Sequence, residues 1–249
     1  MKTKRRRLKK PVKFLLLLLL IGGAFWIWRT LSDPRIVVAL DAGHGGTDVG
    51  AVGVLNETEL TEPTVQYLAE LLEADPAYRV VLCRAAGETV KLNDRWRKAR
   101  FHRAKLLLSV HGNSAADPTA TGFEAYPAPP GREYHEESLR FAQLICRSMA
   151  ETGITLRGQE GIRYAYYVDG EKILQDPSAE PLEAPSFAMV DYPGCPAVLV
   201  EQGFVTNEAD MERLAGEEGC RQAAWRYYLA ICAYFGTEPS SKTMENVVQ

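Results

Sequence analysis

Short apolar runs alternate with stretches of helical spacing along most of this chain, and no other feature constrains the fold as strongly. Most of the runs are rich in Val, Leu and Ile, which is typical of buried strands. They span 35–40, 79–83, 105–110, 122–127 and 196–201. Strands that alternate with helices usually form a mostly parallel sheet with helices on both faces. We therefore predict a single α/β domain over residues 35–236.

The stretches between these strands carry the expected helical pattern. Val65, Leu68, Leu71 and Leu72, for example, recur at the spacing of one buried helical face. The predicted helices span 61–74, 91–104, 133–152 and 219–235. The region 157–195 contains glycine, proline, tyrosine and charge without periodicity. We expect it to form a long, partly ordered loop beside the functional site.

The N-terminus has a different character from the rest of the chain. Residues 1–13 contain eight basic residues and no acidic ones, and the next fifteen residues carry no charge. A basic flank before an apolar run indicates a signal anchor whose flank stays in the cytoplasm, although a full span usually needs about 20 residues. We expect a cytoplasmic tail over 1–13, a single-pass membrane segment over 14–31, and an extracytoplasmic domain that ends in a polar tail over 237–249.

A cleaved signal peptide is the alternative for this N-terminal segment. Small residues should follow the apolar core of a cleavable signal, but Phe25, Trp26, Ile27 and Trp28 stand there instead. The sequence therefore favours an uncleaved anchor in the cell membrane.

Charge and cysteine spacing exclude two classes of protein. Removing the eight basic residues of 1–13 from the net charge of −3 leaves −11 on the remainder, whereas a nucleic-acid binder needs positive charge on its folded body. The five cysteines show neither CxxC nor zinc-finger spacing, and their odd number argues against a disulfide framework. We interpret them as small core residues.

Three polar side chains follow or end predicted strands. His44 comes after strand 35–40 in a glycine-rich stretch, His111 comes after strand 105–110, and Glu201 ends strand 196–201. Ligands of open α/β sheets gather at the carboxyl ends of the strands, so these side chains should lie close together. The glycine-rich stretch is not a phosphate loop, because no Lys followed by Ser or Thr closes it. A metal is the other candidate, and its further ligands must then come from elsewhere in the chain. Two histidines and a glutamate at one edge of a sheet are hard to explain as purely structural residues.

The segments "LDAGHGGTDVGAVG", "SVHGNSA" and "PAVLVEQGFVTNEAD" resemble the signature blocks of the zinc-dependent N-acetylmuramoyl-L-alanine amidases of the Amidase_3 type. The resemblance covers about residues 35 to 236 and includes "GFEAYP" and an arginine, Arg95, before the second histidine. It implies a sheet flanked by helices and one zinc ion. It also implies peptidoglycan as the substrate, hydrolysed at the amide between the lactyl group of muramic acid and L-alanine.

The resemblance also implies roles for individual residues. His44 and His111 match the two histidine ligands of zinc, and Glu201 matches the catalytic glutamate, which serves as a general base. The third ligand is a glutamate shortly after the glycine loop. Glu57 takes that position, and Glu59 and Glu62 are the alternatives.

Pro63 affects the prediction of that third ligand. Proline is tolerated in the first turn of a helix and disfavoured further in, so we expect the regular helix to begin near residue 60. Glu57 would then lie in an irregular lead-in.

Other polar residues are candidates for supporting roles. We expect Asp41 either to orient His44 or to fix the turn, and Asp48 to be a turn residue. Asn113 could contact substrate or cap its loop, and capping is favoured. Arg95 joins Asp41 and Asn113 as a candidate for contact with the ligands or the substrate.

Two other functions are compatible with these residues. A zinc peptidase that acts on the peptide stems of peptidoglycan would use the same ligands and a general-base glutamate. A non-catalytic peptidoglycan-binding or regulatory protein would keep the fold, but loss of a histidine or of Glu201 would be expected, and all are present. The sequence carries no indication of an oligomeric state.

Overall fold

The computed structural model describes residues 10–31 and 33–240, and in the first of these stretches it describes the side chains of 11, 12 and 14–23. The chain divides into two compact units, Met1–Arg35 and Ile36–Gln249. The first unit contains helix α1 (Lys10–Leu31). Among the residues that the structure describes, no helix is both long enough and apolar enough to cross a membrane. The predicted N-terminal tail up to residue 9 and the polar tail from 241 onward lie outside the described residues.

A five-stranded sheet forms the centre of the second unit. Its strands are β1 (Ile36–Ala42), β2 (Tyr78–Leu82), β3 (Leu106–Asn113), β4 (Glu124–Pro127) and, later in the chain, β7 (Ala197–Phe204). The order is β2–β1–β3–β7–β4, and only β4 runs antiparallel to its neighbour. All five predicted strands are present. The prediction of a mostly parallel central sheet is confirmed.

Helices cover both faces of this sheet. They are α2 (Glu57–Ala74), α3 (Leu92–Phe101), α4 (His135–Ala150), α5 (Ala188–Asp191), α6 (Glu208–Leu214) and α7 (Gly216–Phe235). The buried apolar side chains form two cores. The larger core contains residues of α2, α4 and α7, and Val38 and Leu40 of β1 belong to it. The smaller core contains residues of α3 and α5, and Ala39 of β1 belongs to it. Successive side chains of a strand point to opposite faces, so both faces of β1 are buried.

The region 157–195 is more regular than the sequence analysis predicts. It contains a hairpin of β5 (Tyr164–Val168) and β6 (Glu171–Gln175), followed by α5. Asp169 and Gly170 form its two-residue turn, and both have positive φ. An Asp-Gly turn is a strong hairpin signal. The sequence therefore contained evidence for this hairpin, which the prediction of a partly ordered loop did not use.

Helix α2 begins at Glu57, earlier than Pro63 led us to expect. The preceding glycine-rich loop supplies carbonyl groups to the first turn: the N–H of Glu57 donates to Ala51 O at 2.8 Å, and the N–H of Thr58 donates to Val49 O at 3.3 Å. Glu59 also accepts a bond from the N–H of Asn56. These bonds satisfy the helix start, so the prediction of an irregular lead-in was wrong.

Candidate metal centre

His44, Glu57 and His111 converge at the carboxyl edge of the sheet. Each offers one ligand atom, and these atoms lie within 4.8 Å of one another. His44 Nε2 lies 3.1 Å from Glu57 Oε2, and His111 Nδ1 lies 2.9 Å from Glu57 Oε1. The glutamate is buried, while both imidazoles are partly exposed. The sequence prediction therefore named three side chains that do lie together.

Glu57 is held by the start of its helix and by two loops. Its Oε2 accepts a hydrogen bond from Ala51 N at 3.0 Å, and its Oε1 accepts one from Gly112 N at 3.0 Å. Gly50 has a φ of +72°, and a Cβ there would lie 2.5 Å from Glu57 Oε2. The glycine-rich loop is thus needed for the close approach of backbone to this carboxylate.

The two alternative glutamates serve other purposes. Glu59 is exposed and accepts from the N–H of Asn56 at 2.8 Å, at the start of α2. Glu62 pairs with Arg84 at 2.6 Å. Neither belongs to the group of possible ligands found among the described residues.

The imidazole of His44 is oriented by Asp48, and not by Asp41 as one reading of the sequence predicted. His44 Nδ1 lies 2.9 Å from Asp48 Oδ2, and Asp48 Oδ1 also accepts from Gly50 N. Asp41 instead accepts from Ser109 Oγ at 2.8 Å and pairs with Arg95 at 3.3 Å. A carboxylate on the second ring nitrogen fixes the tautomer and orientation of a histidine ligand.

Two buried arginines hold the backbone that carries His44. Arg84 donates to Ala42 O at 2.8 Å and to Gly43 O at 3.0 Å, and Arg95 donates to Ala42 O and His44 O. His44 has a φ of +59°, a left-handed conformation that non-glycine residues seldom adopt. The four hydrogen bonds fix this turn. Arg95 was a candidate from the resemblance, whereas Arg84 was missed, because nothing in its sequence context separates it from a surface arginine.

Glu201 lies beside the three converging residues. It is the direct partner of His111 in the parallel pairing of β3 and β7. Its Oε2 is buried and has no hydrogen-bond partner among the described residues. Burial raises the pKa of this carboxyl to about 7, and the positive charge on His111 opposes the rise.

The ionisation of the three converging groups is strongly coupled. The hydrogen bond with Glu57 raises the pKa of His44 to about 9, against the effect of burial. Burial lowers the pKa of His111, but the hydrogen bond with Glu57 and nearby carboxylates outweigh it and raise that pKa. Burial also opposes ionisation of Glu57, yet its bonds to both histidines hold its pKa well below the usual range. The arrangement therefore keeps a negative charge between two proton-binding imidazoles.

Asn113 does more than cap its loop. Its Nδ2 donates to Glu124 Oε2 at 2.9 Å, while its Oδ1 accepts from Ser114 N at 2.9 Å. Glu124 is fully buried, and Tyr126 also donates to its Oε2 at 2.7 Å. Sequence reasoning missed Glu124, although a glutamate inside an apolar strand is costly to bury without partners and would have been a signal.

The donor set fits one zinc ion. Two imidazole nitrogens and one carboxylate oxygen are typical zinc ligands, and zinc holds such atoms about 2.0–2.2 Å away, which places them roughly 3–4 Å from each other. The distances of 2.9 and 3.1 Å from the Glu57 oxygens to the histidine nitrogens are close to this range. Glu201 Oε2, which has no hydrogen-bond partner in the part of the chain that the structure describes, is a further buried acceptor on the strand beside His111. Three ligands leave an open position, which is typical of catalytic zinc.

The mostly parallel α/β sheet carries at its carboxyl edge two histidines and a glutamate that could hold a metal ion, a donor set typical of catalytic zinc sites in hydrolases. The family model described as N-acetylmuramoyl-L-alanine amidase, Amidase_3, matches residues 38–233. The chain belongs to this family.

Curated relatives are distant in sequence. The chain is 26% identical over 241 residues to the probable N-acetylmuramoyl-L-alanine amidase AmiB of Haemophilus influenzae, covering 86% of this chain and 55% of that protein. It is 30% identical over 189 residues to N-acetylmuramoyl-L-alanine amidase CwlM of Bacillus licheniformis, covering 72% of this chain and 60% of that protein. The chain thus spans a little over half the length of these relatives.

Solved structures share the fold. The catalytic domain of CwlV, an N-acetylmuramoyl-L-alanine amidase from Bacillus (Paenibacillus) polymyxa, has a TM-score of 0.67 and 27% identity, covering 82% of this chain and all of that one. The N-acetylmuramoyl-L-alanine amidase AmiC2 of Nostoc punctiforme has a TM-score of 0.65 and 27% identity, covering 81% of this chain and 97% of that one.

Proposed function

We propose that this protein hydrolyses the amide bond between N-acetylmuramic acid and L-alanine in peptidoglycan. The observation that carries the proposal is the position of Glu201, which pairs with His111 in the sheet beside the three candidate ligands. Its buried Oε2 has no hydrogen-bond partner within residues 33–240. A carboxylate in this position suits proton transfer. Membership of the amidase family supports this bond as the target.

In this proposal His44, Glu57 and His111 hold one zinc ion. A bound zinc ion would act as a Lewis acid that lowers the pKa of a water and polarises the scissile carbonyl. Asp48 orients the ring of His44 through Nδ1, and Gly112 N and Ala51 N fix the two oxygens of Glu57. These outer contacts keep the ligand atoms in place before substrate arrives.

Glu201 moves the proton. Its carboxylate accepts a proton from the attacking water, and it then gives that proton to the amine nitrogen of L-alanine as the C–N bond breaks. A pKa raised to about 7 by burial suits a group that must take up and release a proton near neutral pH. Lactyl carboxylate and a peptide with a free N-terminal alanine are the products.

Mass spectrometry of peptidoglycan digested by the zinc-loaded full-length protein tests this function. The expected products are stem peptides that begin with a free L-alanine amine and glycan strands with intact sugar linkages. Cleavage inside the stems would support the peptidase alternative, and retention on peptidoglycan without any product would support the binding protein. A Glu201→Gln digest, prepared in parallel, identifies products of contaminating hydrolases.

The proposal extends to location in the cell membrane, with the catalytic unit on the extracytoplasmic side. Its support is the basic 1–13 segment and the uncharged run that follows. Residues 10–31 form one helix, and its described apolar side chains from Phe14 to Ile21 are exposed. An enzyme with peptidoglycan as substrate would act on that side of the membrane.

A further inference from the structure

The outer edge of β4 is covered by residues 155–163, which we call the edge segment. Phe123 N donates to Thr155 O at 2.8 Å and Ala125 N donates to Gly161 O at 2.7 Å, while Arg157 N and Arg163 N donate back to Phe123 O and Ala125 O. The edge segment therefore continues the sheet beyond β4. It places Arg157 and Arg163 on either side of Glu124.

Two guanidinium groups share one oxygen of the buried Glu124. Arg157 Nε lies 3.0 Å and Arg163 Nη1 lies 3.1 Å from Glu124 Oε1, and Glu124 Oε2 is already taken by Asn113 and Tyr126. One carboxylate thus faces two positive charges. Asp176 contacts Arg163 Nε at 3.3 Å, but its carboxylate is half exposed and offsets the excess charge only weakly.

Both arginines still have donors that face solvent. Their side chains are 34% and 25% exposed. Each arginine donates hydrogen bonds through its Nε and its Nη1. Within residues 33–240, the Nη2 of each makes no hydrogen bond. A guanidinium fork with free N–H groups binds carboxylates with good geometry.

The pairing of the sheet sets the distance from this pair to the reaction. His111, Glu201 and Glu124 are successive partners across β3, β7 and β4. Directly opposite residues of an antiparallel pair project to the same face, so Glu124 and its two arginines lie on the face of Glu201. Neighbouring strands are about 4.8 Å apart, which places the edge segment about 10 Å from Glu201. An extended peptide covers that span in about three residues at roughly 3.3 Å each.

We propose that Arg157 and Arg163, whose guanidinium groups reach inward to Glu124, form an anion subsite for a free carboxylate on the second residue of the peptide stem, two residues beyond the scissile amide. This subsite rests on the proposed function, because it places the stem along the sheet edge. It would make stems with a free carboxylate better substrates than stems in which that group is an uncharged amide.

Paired synthetic substrates test the subsite. Muramoyl peptides that differ only in whether the second stem residue carries a carboxylate or a carboxamide are compared by kcat/KM. We expect the unchanged protein to favour the carboxylate by about fivefold to tenfold, mainly through KM, as for a partly exposed charge-assisted contact. Arg163→Gln and Arg157→Gln should each reduce this ratio towards one, and Arg163→Lys should keep part of it.

The ratio of kcat/KM for the two substrates distinguishes a loss of recognition from a loss of folded protein, because both substrates are measured with the same preparation. A change that only destabilised the Glu124 cluster would slow both substrates equally and leave the ratio intact. Arg221→Gln is the matched control, since Arg221 is an exposed, ion-paired arginine on α7. An equal rate for the two substrates with the unchanged protein would overturn the subsite, as would a full preference in both glutamine variants.

Calorimetric binding of the free stem peptides separates this inference from the proposed function. If the protein cleaves neither substrate but binds the carboxylate peptide more tightly than the carboxamide, and Arg163→Gln removes the difference, then the subsite stands and the amidase proposal fails. If both substrates are cleaved at the expected bond at the same rate and both peptides bind equally, the amidase proposal stands and the subsite is wrong.

Discussion

His111 and Glu201 are direct partners across two neighbouring parallel strands, β3 and β7. Backbone hydrogen bonds of the central sheet therefore set their separation, and no flexible loop intervenes. Glu201 does not belong to the possible ligand group found among the described residues, whereas His111 does. The two side chains are therefore adjacent, but His111 is a candidate metal ligand, whereas Glu201 is a candidate general base.

Glu201→Gln should keep zinc and lose turnover. The amide fills the same space but cannot take up a proton, and general-base catalysis contributes roughly 10²–10⁴-fold. Zinc content and the rate of muramoyl-alanine cleavage are measured on one preparation. Zinc lost together with activity would make Glu201 a ligand, and an active variant would remove it from the mechanism.

Alanine at His44, Glu57 or His111 should sharply reduce zinc content, because each change removes one of three protein ligands. Elemental analysis after dialysis against a weak chelator measures the bound metal. Glu59→Ala is the matched control, since the exposed side chain of Glu59 accepts a hydrogen bond from the N–H of Asn56 at the helix start and lies outside the ligand group found among the described residues. If Glu59→Ala loses zinc while Glu57→Ala retains it, the assignment of the third ligand is wrong.

Arg84→Lys should weaken zinc binding although no ligand changes. Lysine preserves the charge facing Glu62 but cannot reproduce the fork that bonds the carbonyls of Ala42 and Gly43. We expect affinity to fall on the order of tenfold, as for other residues that support metal ligands. Competition with a fluorescent chelator gives the affinity. Arg97→Lys, on the exposed side of α3, is the control, and equal affinities for both variants would contradict the role of Arg84.

Full-length protein should be recovered in the membrane fraction of cells, with the catalytic unit accessible to protease from outside. The physical reason is the uncharged run between Phe14 and Trp28 behind a basic flank. Replacing Leu17 and Leu19 with aspartate should release the protein from the membrane fraction. A soluble form whose N-terminus lies near residue 30 would show that the segment is a cleaved signal.

All five thiols should be unreactive in the folded protein and free after unfolding. Each cysteine is buried and unpaired, and burial raises the pKa of Cys146 and Cys195 to about 12. At pH 8 the reactive thiolate is therefore scarce. Titration with Ellman's reagent, before and after guanidinium chloride, counts the thiols. Rapid labelling of the folded protein, or fewer than five thiols after unfolding, would contradict the structure.

The strands and the two histidines of the ligand group could be predicted from sequence for the same reason. Apolar runs mark buried strands, and a polar residue that follows such a run then falls near the carboxyl edge of the sheet, as His44 and His111 do. Glu57 follows no strand, and its assignment depended on the resemblance to the amidase family. The interpretation of the cysteines as core residues is confirmed on similar grounds, since all five are buried and unpaired.

The supporting contacts were harder to predict because they join residues far apart in the chain. Arg84 lies 42 positions from the carbonyl of Ala42, and Arg163 lies 39 positions from Glu124. No local pattern reports such a contact. The exchange of roles between Asp41 and Asp48 has the same origin, because Ser109 and Arg95, which bind Asp41, come from other elements.

The start of α2 was misplaced because local proline rules ignore the loop carbonyls that complete its first turn.

The division between sheet and edge segment has a consequence for how such enzymes diversify. Glu201 and His111 lie in strands, where an inserted residue would turn the following side chains to the opposite face. Arg157 and Arg163 lie on a separate stretch that joins the sheet through a few backbone hydrogen bonds. With the subsite we propose, descendants of one ancestor would acquire new stem preferences by exchanging this short stretch, while inheriting the bond-breaking chemistry unaltered.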